Sequence, residues 1–256
     1  MIPLDVGGGP ATLPDMNRFR ALLVGLLATL ALAGCVPSVA PMPPRAAPQT
    51  QGDLAARARQ AVLNFDEVVT RVEPVAERVC REETPDQPCD FVIYVDRSPE
   101  SGVNAFYTLD PQGRPALIFT LGLIAVARNT DELAFIMGHE AGHHIARHLP
   151  LSRQRSAEGA EAFARLAEAR GAGPAEIGEA AQIGAFVASR TFGQQAELEA
   201  DAIGTVIAAR AGYDPLVGAE FFRRIPDPAR EFLSSHPPNA ERLRIVRQSM
   251  VALDPS

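Results

Sequence analysis

Four of the five histidines in this 256-residue chain fall within ten residues of one another, between positions 139 and 148. Two of them frame the run His139-Glu140-Ala141-Gly142-His143, which has the HExxH spacing. Residues four apart lie on the same face of an α-helix, so both imidazoles can reach one metal ion. Glu140 lies beside that face, close enough to contact a metal-bound water without being a ligand. The spacing therefore predicts a helix that carries two metal ligands and a catalytic base.

The helix that carries this motif is predicted to run from Asn129 to His148. Asn129 followed by Glu132 three residues later is a capping-box pattern, which is typical of a helix N-terminus. Leu133 begins an apolar stripe behind the histidines. Pro150 is expected to end the helix, because proline disfavours helical backbone at the residue before it.

A catalytic metal site of this kind needs a third protein ligand and one open position. The metzincin arrangement does not fit, because His148 comes one residue too early and Ala146 replaces the required glycine. A glutamate on a later helix is the other route. Glu197 and Asp201 are four apart, so Glu197 can bind the metal while Asp201 accepts a hydrogen bond from a ligand imidazole. Glu199 points about 160° away from that face and is expected to be solvated. An acidic helix surface would give the same local pattern.

Further motifs, in the same order along the chain, resemble the HtpX and CAAX-prenyl-endopeptidase family of zinc metallopeptidases. Besides HExxH they are Asp131 to Ala134, Arg147-His148, Glu197 to Asp201 with Gly204, His236-Pro237 with Arg242, and Asn104-Ala105-Phe106. The resemblance covers most of residues 55 to 247. It implies one zinc ion held by His139, His143 and Glu197, and it implies that His236 and Arg242 stabilise the developing oxyanion. The alternative for His236 is that it fills the fourth position of the zinc and keeps the enzyme latent. The resemblance further implies that residues 104 to 106 form an edge strand that binds the substrate.

The fold class that follows is α+β and zincin-like, mainly helical, with a small three-stranded sheet beside the active-site helix. Strands are predicted at residues 91–95, 103–109 and 116–120 from their apolar and β-branched content. The run Asp110-Pro111-Gln112-Gly113 is a turn signal, so the last two strands are expected to form a hairpin.

The N-terminal region resembles a bacterial export signal. Two arginines precede the apolar run 21–33, which is too short for a membrane span of about 20 residues. The run Leu32-Ala33-Gly34-Cys35 resembles a lipobox, which implies cleavage before Cys35 and lipidation of its thiol. A plain signal peptide with an unrelated cysteine is the alternative. Met16 is the more natural start, because Asp5 and Asp15 do not suit the basic region of a signal.

Three segments are therefore predicted: a signal peptide at 1–34, a lipidated cysteine and proline-rich tether at 35–52, and a metallopeptidase catalytic domain at 53–250. The tether contains five prolines between Val36 and Gly52, which keep it extended. Val36 follows the cysteine where aspartate would favour the inner membrane. The resemblance to lipoproteins thus implies the periplasmic face of the outer membrane.

The remaining two cysteines, Cys80 and Cys89, are expected to form a disulfide, because the exported compartment is oxidising. A cysteine-based metal site is the alternative, but it lacks nearby histidines.

The function expected from these features is a zinc-dependent endopeptidase of the cell envelope that degrades misfolded or misassembled proteins. A chaperone-like assembly factor with secondary proteolysis and a zinc-stabilised structural lipoprotein are the alternatives. Its partners are expected to be unfolded or extended proteins and, through Cys35, a membrane. The formal charge of −7 without a block of like charges argues against nucleic acid. The sequence gives no indication of the oligomeric state.

Overall fold

The computed structural model describes residues 51–226 and 236–253. The helices are α1 (Gln51–Glu83), α2 (Leu121–Val126), α3 (Thr130–Ile145), α4 (His148–Ala169), α5 (Pro174–Arg210), α6 (Pro215–Gly218) and α7 (Asn239–Leu253). The strands are β1 (Val92–Asp96), β2 (Ala105–Leu109) and β3 (Pro115–Thr120), and 3-10 turns lie at Pro99–Ser101 and Ala219–Arg223. The predicted signal peptide, its lipidated Cys35 and most of the tether lie outside the described residues. None of the described helices is long and apolar enough to span a membrane.

The three strands form one mixed sheet in the order β1-β3-β2. The predicted hairpin pairs β2 with β3 in antiparallel register, and β1 pairs in parallel on the other side of β3. Asp110 Oδ1 shapes the hairpin turn by accepting hydrogen bonds from the backbone N–H groups of Gln112 and Arg114. Gly113 takes a φ of 80°, which glycine adopts without steric cost. The α+β, mainly helical fold class is confirmed.

The core lies between α1, the sheet, α3 and α5. It is filled by fully buried apolar side chains, among them Val68, Val72, Leu117, Phe119, Leu133, Phe135, Met137 and Ile207. Because β2 lies at an edge of the sheet, only one of its backbone edges is bonded to a neighbouring strand.

Helices α3 and α5 cross at very close range because both expose small residues at the crossing. A Cβ atom at Gly138 would lie 2.8 Å from the carbonyl oxygen of Gly204, and one at Gly142 would lie 3.0 Å from that of Ala200. A Cβ atom at Gly204 would lie 2.7 Å from the backbone nitrogen of His139. The crossing therefore brings the HExxH motif directly against the acidic segment of α5.

The helix boundaries differ from the predictions in two places near this crossing. Helix α3 ends at Ile145 and not at His148, because Arg147 adopts left-handed backbone with φ 57° and reverses the chain. His148 then begins α4, and Pro150 falls in the first turn of α4, where its missing N–H costs no hydrogen bond. The later helix that was predicted to carry Glu197 and Asp201 is α5, and both residues lie in the second half of this long helix.

The segment between Cys80 and Cys89 covers the C-terminal end of the motif helix. The two cysteines are disulfide-bonded, with Cα atoms 5.7 Å apart. Gln87 Nε2 donates hydrogen bonds to the carbonyl oxygens of His144 and Ile145, each at 3.2 Å. These carbonyls belong to the last turn of a helix, which has no helical partner for them. The disulfide-closed segment thus caps α3.

We expect Gly204→Ala to lower the free energy of unfolding by about 1–3 kcal/mol, because the added methyl group meets the backbone of α3 and forces the helices apart. The matched control is Gly178→Ala on the same helix, where a Cβ atom meets nothing within 4 Å. That change should stabilise by up to about 1 kcal/mol, the usual difference in helix propensity. Urea unfolding measures both. A Gly204→Ala variant as stable as the control would contradict the close crossing.

Candidate metal centre

His139, His143 and Glu197 bring three ligand atoms together at the crossing of α3 and α5, all within 4.8 Å of one another. The Nε2 atoms of the two histidines are 3.1 Å apart. Glu197 places one carboxylate oxygen 3.4 Å from Nε2 of His139 and the other 3.5 Å from Nε2 of His143. Two imidazoles and one carboxylate are the ligand set of a catalytic zinc site with an open fourth position. The residues present therefore fit zinc.

Asp201 orients the first of these histidines. Nδ1 of His139 lies 2.9 Å from Oδ1 of the Asp201 carboxylate, which can only accept, so the imidazole donates there and turns Nε2 to the metal position. Arg242 holds the carboxylate in turn, through Nε to Oδ2 at 2.8 Å and Nη2 to Oδ1 at 2.7 Å. The Arg242 guanidinium is stacked 3.7 Å from the ring centre of Phe222.

The protonation states of two of the three ligands, Glu197 and His143, suit metal binding. Burial raises the pKa of Glu197, but hydrogen bonds from His139 and His236 outweigh burial and hold that pKa well below its usual range. Burial lowers the pKa of His143 to about 3, which keeps a lone pair available. Burial and Arg242 also oppose a charge on His139, yet hydrogen bonds to Asp201 and Glu197 raise the pKa of His139 to about 10. A metal must therefore displace a proton from His139.

Glu140 is buried next to the ligand atoms but is not one of them. Burial raises its pKa, and a backbone hydrogen bond from Tyr107 on β2 offsets part of that effect. A carboxylate with a raised pKa is a better proton acceptor near neutral pH. The contact with Tyr107 also shows that β2 runs alongside this part of α3.

A cleft of about 760 Å³ opens onto the ligand cluster. Asn104, Ala105 and Phe106, the segment predicted to bind substrate, line its wall at the start of β2. The other walls come from α3, the start of α4, the middle of α5, and the chain around His236 and Arg242. The metal site is therefore open to a ligand that enters along the sheet edge.

His236 and Arg242 occupy different positions around the third ligand. Half-exposed His236 places Nδ1 3.2 Å from Glu197 Oε2. Arg242 is only 5% exposed, and its guanidinium is engaged by Asp201 and lies 3.4 Å from Glu197. His236 therefore faces the open side of the site, while Arg242 is fixed among the buried carboxylates.

Two residues at the site were not predicted to be there. His148 places Nδ1 2.9 Å from Nδ1 of His143, and Glu199 places a carboxylate oxygen 3.1 Å from Nε2 of His148. The sequence signals for His148 were the clustering of histidines and the Arg147-His148 motif of the family resemblance. Glu199 is largely exposed, as expected, yet its carboxylate contacts His148 at the start of α4.

Residues 63–250 match the family model described as peptidase family M48. The chain belongs to this family. The resemblance to a family of zinc metallopeptidases is thereby confirmed, and zinc, the metal that M48 peptidases use, matches the His-His-Glu cluster.

Three relatives agree with this assignment. The chain is 31% identical over 158 residues to the mitochondrial metalloendopeptidase OMA1 of Arabidopsis thaliana, which covers 58% of the chain and 30% of the relative. It is 34% identical over 142 residues to the beta-barrel assembly-enhancing protease of Escherichia coli K12, covering 49% and 28%. It is also 34% identical over 125 residues to a putative beta-barrel assembly-enhancing protease of Vibrio cholerae, covering 46% and 25%. The chain thus spans less than a third of the length of these relatives.

We expect Arg242→Met to lower the free energy of unfolding by about 3 kcal/mol, because it leaves the buried Asp201 carboxylate without its positive partner. Arg244→Met is the matched control, since Arg244 lies on the same helix with its side chain 48% exposed. Loss of that surface contact should cost less than about 0.5 kcal/mol. Denaturant unfolding measures both variants, and equal stabilities would show that the Asp201–Arg242 pair contributes little.

Proposed function

We propose that this protein is a zinc-dependent endopeptidase of the bacterial cell envelope that cleaves misfolded or misassembled envelope proteins. The observation that carries the proposal is the convergence of His139, His143 and Glu197 beside Glu140, at the floor of a cleft that follows an edge strand. A site of purely structural zinc has no need of a carboxylate beside an open coordination position.

The residues at the site have different roles in the proposed reaction. Zinc held by the three ligands would supply Lewis acidity and would lower the pKa of a water to about 7. Glu140 accepts the proton of the attacking water and delivers it to the nitrogen of the leaving amine. Asp201 keeps the proton of His139 on Nδ1 and so keeps Nε2 turned to the metal. Arg242 acts by holding Asp201, because its guanidinium is already engaged there, in place of the direct oxyanion contact first expected.

Substrate binding follows from the position of β2. Its free edge runs along the cleft, with Tyr107 in backbone contact with Glu140. An extended substrate can add to such an edge by main-chain hydrogen bonds, which depend little on side-chain identity. Phe106, 40% exposed, provides an apolar contact in the same wall. We therefore propose that the enzyme takes unfolded or flexible segments at residues 104–106.

The location in the envelope is proposed from three features. The lipobox-like run ending at Cys35 implies a lipid anchor, and the residue after it favours the outer membrane. Two of the relatives are named beta-barrel assembly-enhancing proteases. The Cys80–Cys89 disulfide suits the oxidising periplasm as well. We propose that the catalytic domain faces the periplasm.

A chaperone-like assembly factor with secondary proteolysis is the second candidate. It is favoured by the words "assembly-enhancing" in the names of the two bacterial relatives. On this hypothesis the cleft binds envelope proteins along β2 while they assemble, and cleavage only removes those that fail to assemble.

Glu140→Gln tests the protease proposal. We expect the variant to keep its zinc and to lose about 10²–10⁴-fold of its activity on a chemically unfolded protein, because the amide cannot accept the proton. The same protein in its folded form should be cleaved far more slowly by the wild type. Glu161→Gln, at an exposed position of α4, is the matched control and should keep full activity.

Two outcomes would sink the protease proposal: equal cleavage by wild type and Glu140→Gln, or no cleavage by zinc-loaded wild type. Complementation separates the two candidate functions. If Glu140→Gln restores the envelope of a strain that lacks the protein as well as wild type does, the assembly function does not need catalysis.

The role of His236 can be tested by His236→Ala. If its imidazole stabilises the oxyanion, activity on the unfolded protein should fall about 10²–10³-fold while zinc stays bound. If instead it fills the fourth position and keeps the enzyme latent, basal activity should rise. Proteolysis rate and zinc content, measured together, distinguish the two roles.

A further inference from the structure

We propose that His148 and Glu199 form a positioning relay for His143, the counterpart of the direct support that Asp201 gives His139. The relay runs from Nδ1 of His143 to Nδ1 of His148 over 2.9 Å, and from Nε2 of His148 to Oε2 of Glu199 over 3.1 Å. The inference rests on the proposed zinc site and adds two residues to its support.

The hydrogen-bonding roles in the relay follow from the ligand atom. His143 presents Nε2 to the cluster, so its ring proton lies on Nδ1 and is donated to His148. Nδ1 of His148 must then accept, which places the His148 proton on Nε2. That nitrogen donates to Glu199, whose carboxylate can only accept. Each nitrogen in the relay thus acts only as a donor or only as an acceptor. The Glu199 carboxylate at the end of the relay fixes these assignments.

The turn between α3 and α4 places His148 in this relay. Helix α3 ends at Ile145, and the left-handed residue Arg147 turns the chain so that the first residue of α4 faces back to His143. A non-glycine residue in that conformation is strained, and it persists where the surrounding structure over-determines it. His148 is 4% exposed, and its ring lies edge-on to His143 and to Phe192, which restrict its rotation.

The two supports differ in strength. Asp201 is fully buried and contacts its histidine directly, whereas the Glu199 side chain is 62% exposed and acts through a second imidazole. Water competes for an exposed carboxylate, so Glu199 should matter less than His148, and both less than Asp201. All three acidic residues of the segment 197–201 then serve the site, one as a ligand and two as supports.

The alternative is that His148 has only a packing role between α3, α4 and α5. The two interpretations separate on zinc affinity, because supporting residues of metal ligands typically change affinity by about 10–100-fold. The variant His148→Leu keeps the volume but offers no acceptor to His143. The variant His148→Asn keeps an acceptor oxygen near the place of Nδ1. Glu199→Ala removes the end of the relay, and Glu179→Ala, exposed on the same helix, is its matched control.

The experiment measures zinc dissociation constants by competition with a chelator, the visible spectrum of the cobalt-substituted protein, and thermal unfolding of the protein after zinc removal. We expect His148→Leu to weaken zinc binding about 10–100-fold and to alter the cobalt spectrum. His148→Asn should recover most of the affinity, Glu199→Ala should lose less than His148→Leu, and Glu179→Ala should match wild type. Unfolding temperatures of the zinc-free variants should be similar.

Wild-type affinity and spectrum in His148→Leu would overturn the relay. So would a His148→Asn variant as weak as His148→Leu, since the acceptor would then be irrelevant. A wild-type protein that binds no zinc would overturn the proposed metal site itself, so failure of the site and failure of the relay are distinguishable.

Discussion

The close crossing of α3 and α5 is the contact on which the rest of the site depends. Its glycines let the two backbones approach so nearly that Glu197 reaches the imidazoles of a helix more than fifty residues earlier. A single methyl group at Gly204 would press on the backbone of His139, the first ligand. Packing and function are therefore set by the same residues. The crossing that buries the core also sets the separation of the three ligand atoms, which metal binding tolerates only within narrow limits.

The crossing also buries several charged side chains, and the way in which they pair offsets the free-energy cost of burying them. Burial of a lone carboxylate is costly, so buried charges are paired and hydrogen-bonded. Arg242 meets both oxygens of Asp201 and lies near Glu197, while Phe222 covers the guanidinium face. One cation thus serves two carboxylates, one of which orients a ligand and one of which is a ligand. This explains why an arginine expected at the oxyanion lies deeper in the structure.

How much the sequence could predict depends on the range of the interaction. The two histidines and Glu140 follow from helical periodicity alone, because i and i+4 share a face in any helix. Glu197 meets the histidines only across the fold, and it was singled out by Asp201 on the same helical face together with the family pattern. The contact between His148 and His143 does not follow from the sequence, because Pro150 predicts that the motif helix continues to His148. The chain in fact reverses direction at Arg147, whose backbone is in the left-handed region. Nothing in the local sequence predicts that conformation for an arginine.

A further contact joins the sheet edge to the motif helix. Nε2 of His144 faces the carbonyl oxygen of Pro88, so it carries the ring proton, and Nδ1 accepts from the hydroxyl group of Tyr107. Tyr107 lies on β2, where its backbone also reaches Glu140. The disulfide-closed segment, the motif helix and the edge strand are thus fixed to one another through a histidine that does not touch the ligand cluster. If β2 holds the substrate, this linkage sets the scissile bond relative to Glu140. Loss of the disulfide between Cys80 and Cys89 would then change the position of the substrate along β2 as well as the stability of the protein.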